Sequence, residues 1–211
     1  MSFEITEDIL QKASEIEVWD SSGIKIKFGS IFATQKTIVV FIPSSSYMAN
    51  PDILRVIRTL LLRGKNYVVQ LAGVPTLALQ EAGTEIVLVG CGEWQGIKFY
   101  AEKTGFKGRM YAEPSRELYH ALGMNIETLA LTPAGQEKRS YVSGTIAGNV
   151  IKGTLDFLKN PTLIGKQGNV SQIGGDFVFG PGNKCSFAHL MQHTEDHVEV
   201  AELMKHAGVH Y

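Results

Sequence analysis

Two short stretches constrain the fold of this chain more than anything else in it. Thr37 to Ile42 (TIVVFI) and Thr84 to Gly90 (TEIVLVG) are continuous runs of apolar, largely β-branched residues, each closed by a turn signal. A strand with one wet face alternates in polarity. A strand that is apolar throughout is covered on both faces, the habit of a parallel sheet flanked by helices. The segments between and around these runs read as the flanking elements. Ile5, Ile9, Leu10, Ala13 and Ile16 form one helical stripe over residues 4–16. Glu17 to Phe32 reads as a hairpin turning at Asp20-Ser21-Ser22-Gly23, with Ile24, Ile26 and Phe28 on its buried side. Asn50-Pro51-Asp52 is a helix start leading into Ile53 to Leu62, with a break or bend at Gly64. Helices are also predicted over Tyr67 to Leu71, Leu77 to Glu81, Trp94 to Lys103, Pro114 to Leu122, Gly148 to Leu158 and Val198 to Ala207. A third strand is predicted over Arg109 to Ala112. A closing hairpin, Asp176 to Phe179 with Cys185 to Leu190, turns at Gly180-Pro181-Gly182-Asn183.

The predicted fold class is α/β: a mixed sheet flanked by helices, with an N-terminal helix and hairpin. Residues 1–211 are read as one domain, a length that supports a full core without disulfide or metal staples. The Gly-, Ser- and Thr-rich stretch 133–172 is read as an inserted lid. No repeat or low-complexity segment appears.

Composition excludes several classes of partner. Lys plus Arg total 20 against 21 Asp plus Glu, a net charge of −1, so there is no basic excess to hold nucleic acid. No window is apolar enough for a membrane span. The N-terminus is acidic and amphipathic, unlike a secretion signal, and a cytoplasmic location is expected. The two cysteines, Cys91 and Cys185, make neither a disulfide framework nor a four-cysteine zinc site. Gly90-Cys91-Gly92 lacks the spacing of a phosphate loop, and no cofactor is expected.

Two long stretches carry a family resemblance: NYVVQL with LQEAGTEIVLVGCGEWQGIKFYAEKTGFKGRMYAEPSRELYHALGM, and GGDFVFGPGNKCSFAHLMQHTEDHVEVAELMKHAGV. Together they resemble the peroxiredoxin-like branch of the alkyl hydroperoxide reductase/thiol-specific antioxidant (AhpC/TSA) family. The resemblance covers 37–43 and 66–209 and implies a thioredoxin-like fold. It also implies a Cys, or a Cys-x-x-Cys pair, where the first buried strand runs into its helix, since a helix N-terminus there stabilises the thiolate. No Cys occurs before Cys91. Placed directly after Phe41-Ile42, the motif positions are Tyr47 and Asn50. Aligned backward from Asn66-Tyr67, they are Leu61 and Gly64, with an insertion over roughly 43–56. The second register keeps the downstream match continuous and is preferred; in both, the redox pair is gone.

The reading that follows is an enzyme doing non-redox acid–base chemistry, of isomerase, lyase or cyclase type, on a small organic molecule. The expected cleft lies at the C-terminal ends of the two buried strands. Tyr47 is the candidate proton donor and His189 the candidate general acid or base. Ser46, Asn50, Gln172 and Gly174 are the candidate ligand-binding residues, with Gly174 and Gly175 allowing close backbone approach. One alternative is a thiol-dependent peroxidase using Cys91, which follows the second buried strand. Another is a non-catalytic binding or dimerisation module, and a homodimer is compatible with either. His189, His193 and His197 recur every four residues with Glu195 and Asp196 among them. However, His189 falls in a strand and the last helix starts only near Asp196, so they share no helical face and no metal site is read. Thr194 or Asp196 is instead read as the N-cap of that helix. His206 and His210 are expected in solvent.

Overall fold

The computed structural model describes residues 5–42, 64–143, 169 and 171–211. Helix α1 (Glu7–Glu15) starts where Thr6 accepts a hydrogen bond from the Ile9 amide, has Glu7 and Asp8 in its first turn, and buries Leu10 and Ala13. Strands β1 (Glu17–Trp19) and β2 (Lys25–Lys27) form a short hairpin whose turn is pinned by Asp20, which accepts from the Ser22 and Ile24 amides. The hairpin is shorter than its polarity pattern predicts. Ile24 lies in the turn and is exposed, and Phe28 opens a 3-10 helix (Phe28–Ile31) that carries it into the core. Gly23, at the turn, abuts the indole of Trp94.

The two apolar runs are strands β3 (Lys36–Ile42) and β4 (Thr84–Gly90), paired in parallel from Lys36↔Thr84 to Ile42↔Gly90. Strand β5 (Arg109–Ala112) is parallel to β4. The closing hairpin, β6 (Gly175–Phe179) and β7 (Cys185–Leu190), adds antiparallel beside β3. Strand β1 joins through Trp19↔Ala112, completing a seven-stranded mixed sheet of order β2-β1-β5-β4-β3-β6-β7. The antiparallel order on either side of a parallel centre is the predicted architecture.

Alternation along the strands sends side chains to two faces. On one face Val39, Phe41, Val87, Val89, Phe177 and Phe179 pack under α1 and the short helix α5 (Glu117–Ala121). On the other, Ile38, Val40, Ile86, Leu88 and Val178 pack under α2 (residues 64–72) and the C-terminal helix α7 (Val200–His206). Helices α3 (Thr76–Glu81), α4 (Ile97–Thr104), preceded by a 3-10 turn (Trp94–Gly96), and α6 (Ser140–Ser143) complete the described elements. Gly64 is helical and buried, and the break or bend expected there, relative to Ile53 to Leu62, involves residues outside the described ones. The helices predicted over Ile53 to Leu62 and Gly148 to Leu158, and most of the 133–172 stretch, lie outside the described residues. Helix α5 is shorter than predicted because the chain turns through Arg116, whose φ of 63° is the only positive value at a non-glycine among the described residues. Glu113 holds that turn, accepting from the Ser115 hydroxyl and, at 3.1 Å, from the Leu118 amide.

Candidate functional site

The C-terminal ends of β3 and β4 meet over the hydroxyl of Tyr119. This hydroxyl lies 3.1 Å from the Ile42 carbonyl and 3.0 Å from that of Val89, so one proton serves two strand ends. Burial first, then the Cys91 thiol bonded to it, push the Tyr119 hydroxyl well above its ordinary range. Cys91 follows β4 as predicted, but its side chain turns into the aromatic core and is 0% exposed. Glu113, one residue past β5, is pushed up by burial despite the hydrogen bonds it accepts. Gln172 is buried beside this edge. Its Nε2 donates to the carbonyls of Met124 (2.9 Å) and Ile173 (2.8 Å), which fixes the amide orientation. Its Oε1 has no partner among the described residues. At Gly174 a Cβ would stand 1.7 Å from the Phe41 carbonyl oxygen, so only glycine lets the chain cross β3 there.

His189 lies elsewhere. It faces Asp176 across the β6–β7 pair, and directly opposed residues share a face, so it belongs to the α2 side of the sheet. Its Nε2 donates to the Asp196 backbone carbonyl at 2.5 Å and stands 3.4 Å from that residue's carboxylate. Burial opposes its charged form, yet Asp196 and Asp176 together outweigh burial and hold the imidazole above its ordinary value. The predicted set is therefore split: Cys91, Gln172 and Gly174 gather at the strand ends, and His189 lies across the sheet. Ser46, Tyr47 and Asn50 fall outside the described residues.

Beside His189 is a polar cluster that sequence reasoning missed. Asp176, in the middle of an apolar strand, is fully buried. Its Oδ1 accepts from His197 Nδ1 at 2.9 Å and from the Tyr67 hydroxyl at 3.3 Å, and its Oδ2 accepts from the Val198 amide at 2.9 Å. Tyr67, on α2, stacks on the His197 ring at 4.2 Å with 3° between planes. The Tyr141 hydroxyl accepts from the His197 amide at 2.9 Å, and its ring meets Tyr67 edge-on. Both tyrosine hydroxyls are raised, chiefly by burial. His197 Nε2 has no partner among the described residues. The signal was available: a lone Asp in GGDFVF must be paired if the strand is buried, and a chain segment rich in His follows it.

The same segment corrects the capping assignment. Helix α7 starts at Val200 after Glu199, with no side-chain cap. Thr194 instead bonds the Ala130 carbonyl, and Asp196 accepts from the Gln192 amide and faces Arg139 at 3.6 Å. Both side chains are engaged by neighbouring segments of the chain and are not free to cap the helix. His206 and His210 are exposed, as expected, and His206 also stacks on Phe187 at 3.9 Å. Among the described residues no three His, Cys, Asp or Glu side chains are grouped to hold a metal.

With this geometry in hand, comparison with known proteins is informative. Residues 74–193, more than half of the chain, match the family described as AhpC/TSA antioxidant enzyme. The chain belongs to this family. It is 29% identical to the human protein Peroxiredoxin-like 2C over 202 residues, covering 94% of this chain and 80% of that one. It is 27% identical to the chloroplastic Thioredoxin-like protein AAED1 of Arabidopsis thaliana over 60% of this chain and 50% of that one. In structure it is similar to the peroxidoxin BcpB of Mycobacterium tuberculosis, with a TM-score of 0.52 at 10% identity over 92% of this chain and 91% of that one. Peroxiredoxin 6 of Arenicola marina gives 0.51 at 17% identity, over 92% and 69%. These likenesses establish the thioredoxin-like fold. In this AhpC/TSA member the two cysteines sit apart, Cys91 after β4 and Cys185 at the start of the edge strand β7, where burial pushes its thiol up to about 11.

Proposed function

We propose that this AhpC/TSA family member performs non-redox acid–base chemistry on a small organic molecule, at the C-terminal edge of β3 and β4. The observation that carries the reading is the state of the chain's two thiols. A peroxidatic sulfur attacks as an exposed thiolate. Cys91 is buried against Tyr119, and Cys185 holds its proton to about pH 11 while donating to the Phe187 carbonyl at 3.2 Å. Neither has the environment that makes a nucleophile, and no other cysteine exists in the sequence. One group suited to moving protons stands at this edge, Glu113 with its raised carboxyl, and His189 with its raised imidazole lies on the other face of the sheet; Tyr47 is the further candidate that the sequence offers. A location in the cytoplasm and a homodimer are compatible with this reading.

The test is peroxide consumption with hydrogen peroxide and a thiol donor such as dithiothreitol. Turnover is expected at the level of the donor alone and unchanged in Cys91→Ser and Cys185→Ser. Robust turnover abolished by Cys91→Ser would replace this reading with the peroxidase one.

A further inference from the structure

The Asp176–His197 pair has the composition of a proton-handling site, and one of its atoms is left over. Asp176 fixes the tautomer of His197: with Nδ1 held as the donor to the carboxylate, the neutral ring presents its lone pair at Nε2. That atom is fully buried and has no hydrogen-bond partner among the described residues. An unmet buried acceptor costs about 1–3 kcal/mol, so it persists where something else compensates it. The ring is also immobilised. Tyr67 covers one face, Tyr141 approaches on edge, and the backbone amides of His197 and Val198 are tied to the Tyr141 hydroxyl and to Asp176. Orienting carboxylate, fixed tautomer, locked ring and open second nitrogen are the attributes of a general base.

We propose that His197 Nε2 is the proton-accepting group of a binding site for small, neutral, ring-bearing molecules that carry a weakly acidic O–H or N–H. Tyr67 lies flat on one face of the imidazole and Tyr141 stands at its edge, so the surroundings of the ring are aromatic and suit a flat, ring-bearing molecule. Asp176 takes the Nδ1 side of the ring, so Nε2 is the atom that can accept a proton from a ligand. In that step the ligand's O–H or N–H bond breaks as the Nε2–H bond forms. The electron pair stays on the ligand, and the same proton returns to it, so no electrons enter or leave. His197 is 1% exposed, so a ligand reaches it through local opening of what covers the ring. This inference goes beyond the site proposed at the β3 and β4 edge, since the His197 cluster lies on the opposite, α2 face of the sheet.

The test is nitrogen-15 NMR of the histidine-labelled full chain, with phenol as the probe. In the free protein His197 is expected to carry its proton on Nδ1 and to show an unprotonated Nε2. Phenol is expected to shift the Nε2 resonance along a saturable curve. His197→Gln, which keeps a donor toward Asp176, is expected to weaken phenol binding at least tenfold, and Cys185→Ser, at the start of the edge strand and outside the cluster, to change it less than threefold. A protonated Nε2, an Nε2 bonded to another group of the chain, or a trapped water that phenol does not displace would each overturn the assignment. Because the wild-type spectrum alone decides the tautomer, a variant that fails to fold leaves the test intact. Those outcomes leave the non-redox reading standing, since that reading falls only to cysteine-dependent peroxide turnover.

Discussion

The two faces of the central sheet are built from the same strands and do opposite things with them. Under α1 and α5 the face is aromatic and dry. Phe41 meets Tyr119 and Phe177 edge-on at 5.0 and 5.4 Å, and Phe177 stacks with Phe179 at 5.3 Å. Under α2 the next residues along the same strands include a buried carboxylate, with an imidazole and two phenols gathered round it. One face gains stability from packing, which tolerates no gaps. The other accepts the cost of burying polar groups, and the return is a constellation of fixed, titratable side chains. Alternation at a period of two lets one five-residue strand serve both: Gly175, Phe177 and Phe179 on one side, Asp176 and Val178 on the other.

That contrast can be broken first where the faces meet. Gly174→Ala drives a methyl group into the Phe41 carbonyl, and the variant is expected to lose more than about 4 kcal/mol, or to fail to accumulate folded protein. Native-like urea unfolding of this variant would show that the crossing is not constrained. On the aromatic face, Phe41→Ala is expected to cost about 3–5 kcal/mol while leaving the His197 resonances in place. Loss of the His197 signature in that variant would mean that the faces are energetically one unit.

Smaller changes sharpen the other side. Asp176→Asn keeps the shape and removes the charge. It is expected to cost about 1–3 kcal/mol in urea unfolding and to change the His197 tautomer, an effect that no packing variant shares. The smallest expected effect is a pH dependence at the margin of the cluster. His189 lies above 6.5 when folded, so its contribution is complete below 6.5 and is lost as the pH rises through the raised value. Asp196 lies below 3.8 when folded, so its contribution is complete above 3.8 and is lost as the pH falls through the lowered value. The contact between them is therefore fully present between about 3.8 and 6.5. Melting curves of the wild type and His189→Gln should differ most in that window and converge on its alkaline side. Curves that stay parallel across it would separate His189 from the cluster.

The sheet was legible in the sequence because β3 and β4 are apolar at every position, a pattern that has few other uses. The hairpin of β6 and β7 was legible from its glycine- and proline-rich turn. Its partner at the N-terminus was misjudged at Ile24 and Phe28, because period-two polarity cannot say where a strand ends and a 3-10 turn begins. The site was harder to read. Cys91 stands at the expected edge, yet the face its thiol takes depends on how the chain leaves β4. His189 and the Asp176 cluster required knowing that β7 pairs with β6 in the register Asp176↔His189, and that the following segment folds back over α2. Helical spacing pointed away from His197, since the segment 191–198 is not a helix and its side chains are ordered by buried partners.

One feature of the other end of the sheet bears on how any of these variants can be watched. The only two tryptophans, Trp19 and Trp94, both belong to the β1–β2 end: Trp19 pairs with Ala112 and lies under the Lys25 ammonium at 4.9 Å, and Trp94 receives the hairpin turn at Gly23. Intrinsic indole fluorescence is therefore a reporter of that margin alone, while the chromophores around Asp176 are tyrosines. Tryptophan emission follows the β1–β2 end and the nitrogen-15 signals of His197 follow the Asp176 side, so their coincidence or separation during denaturation reads out cooperativity across the sheet.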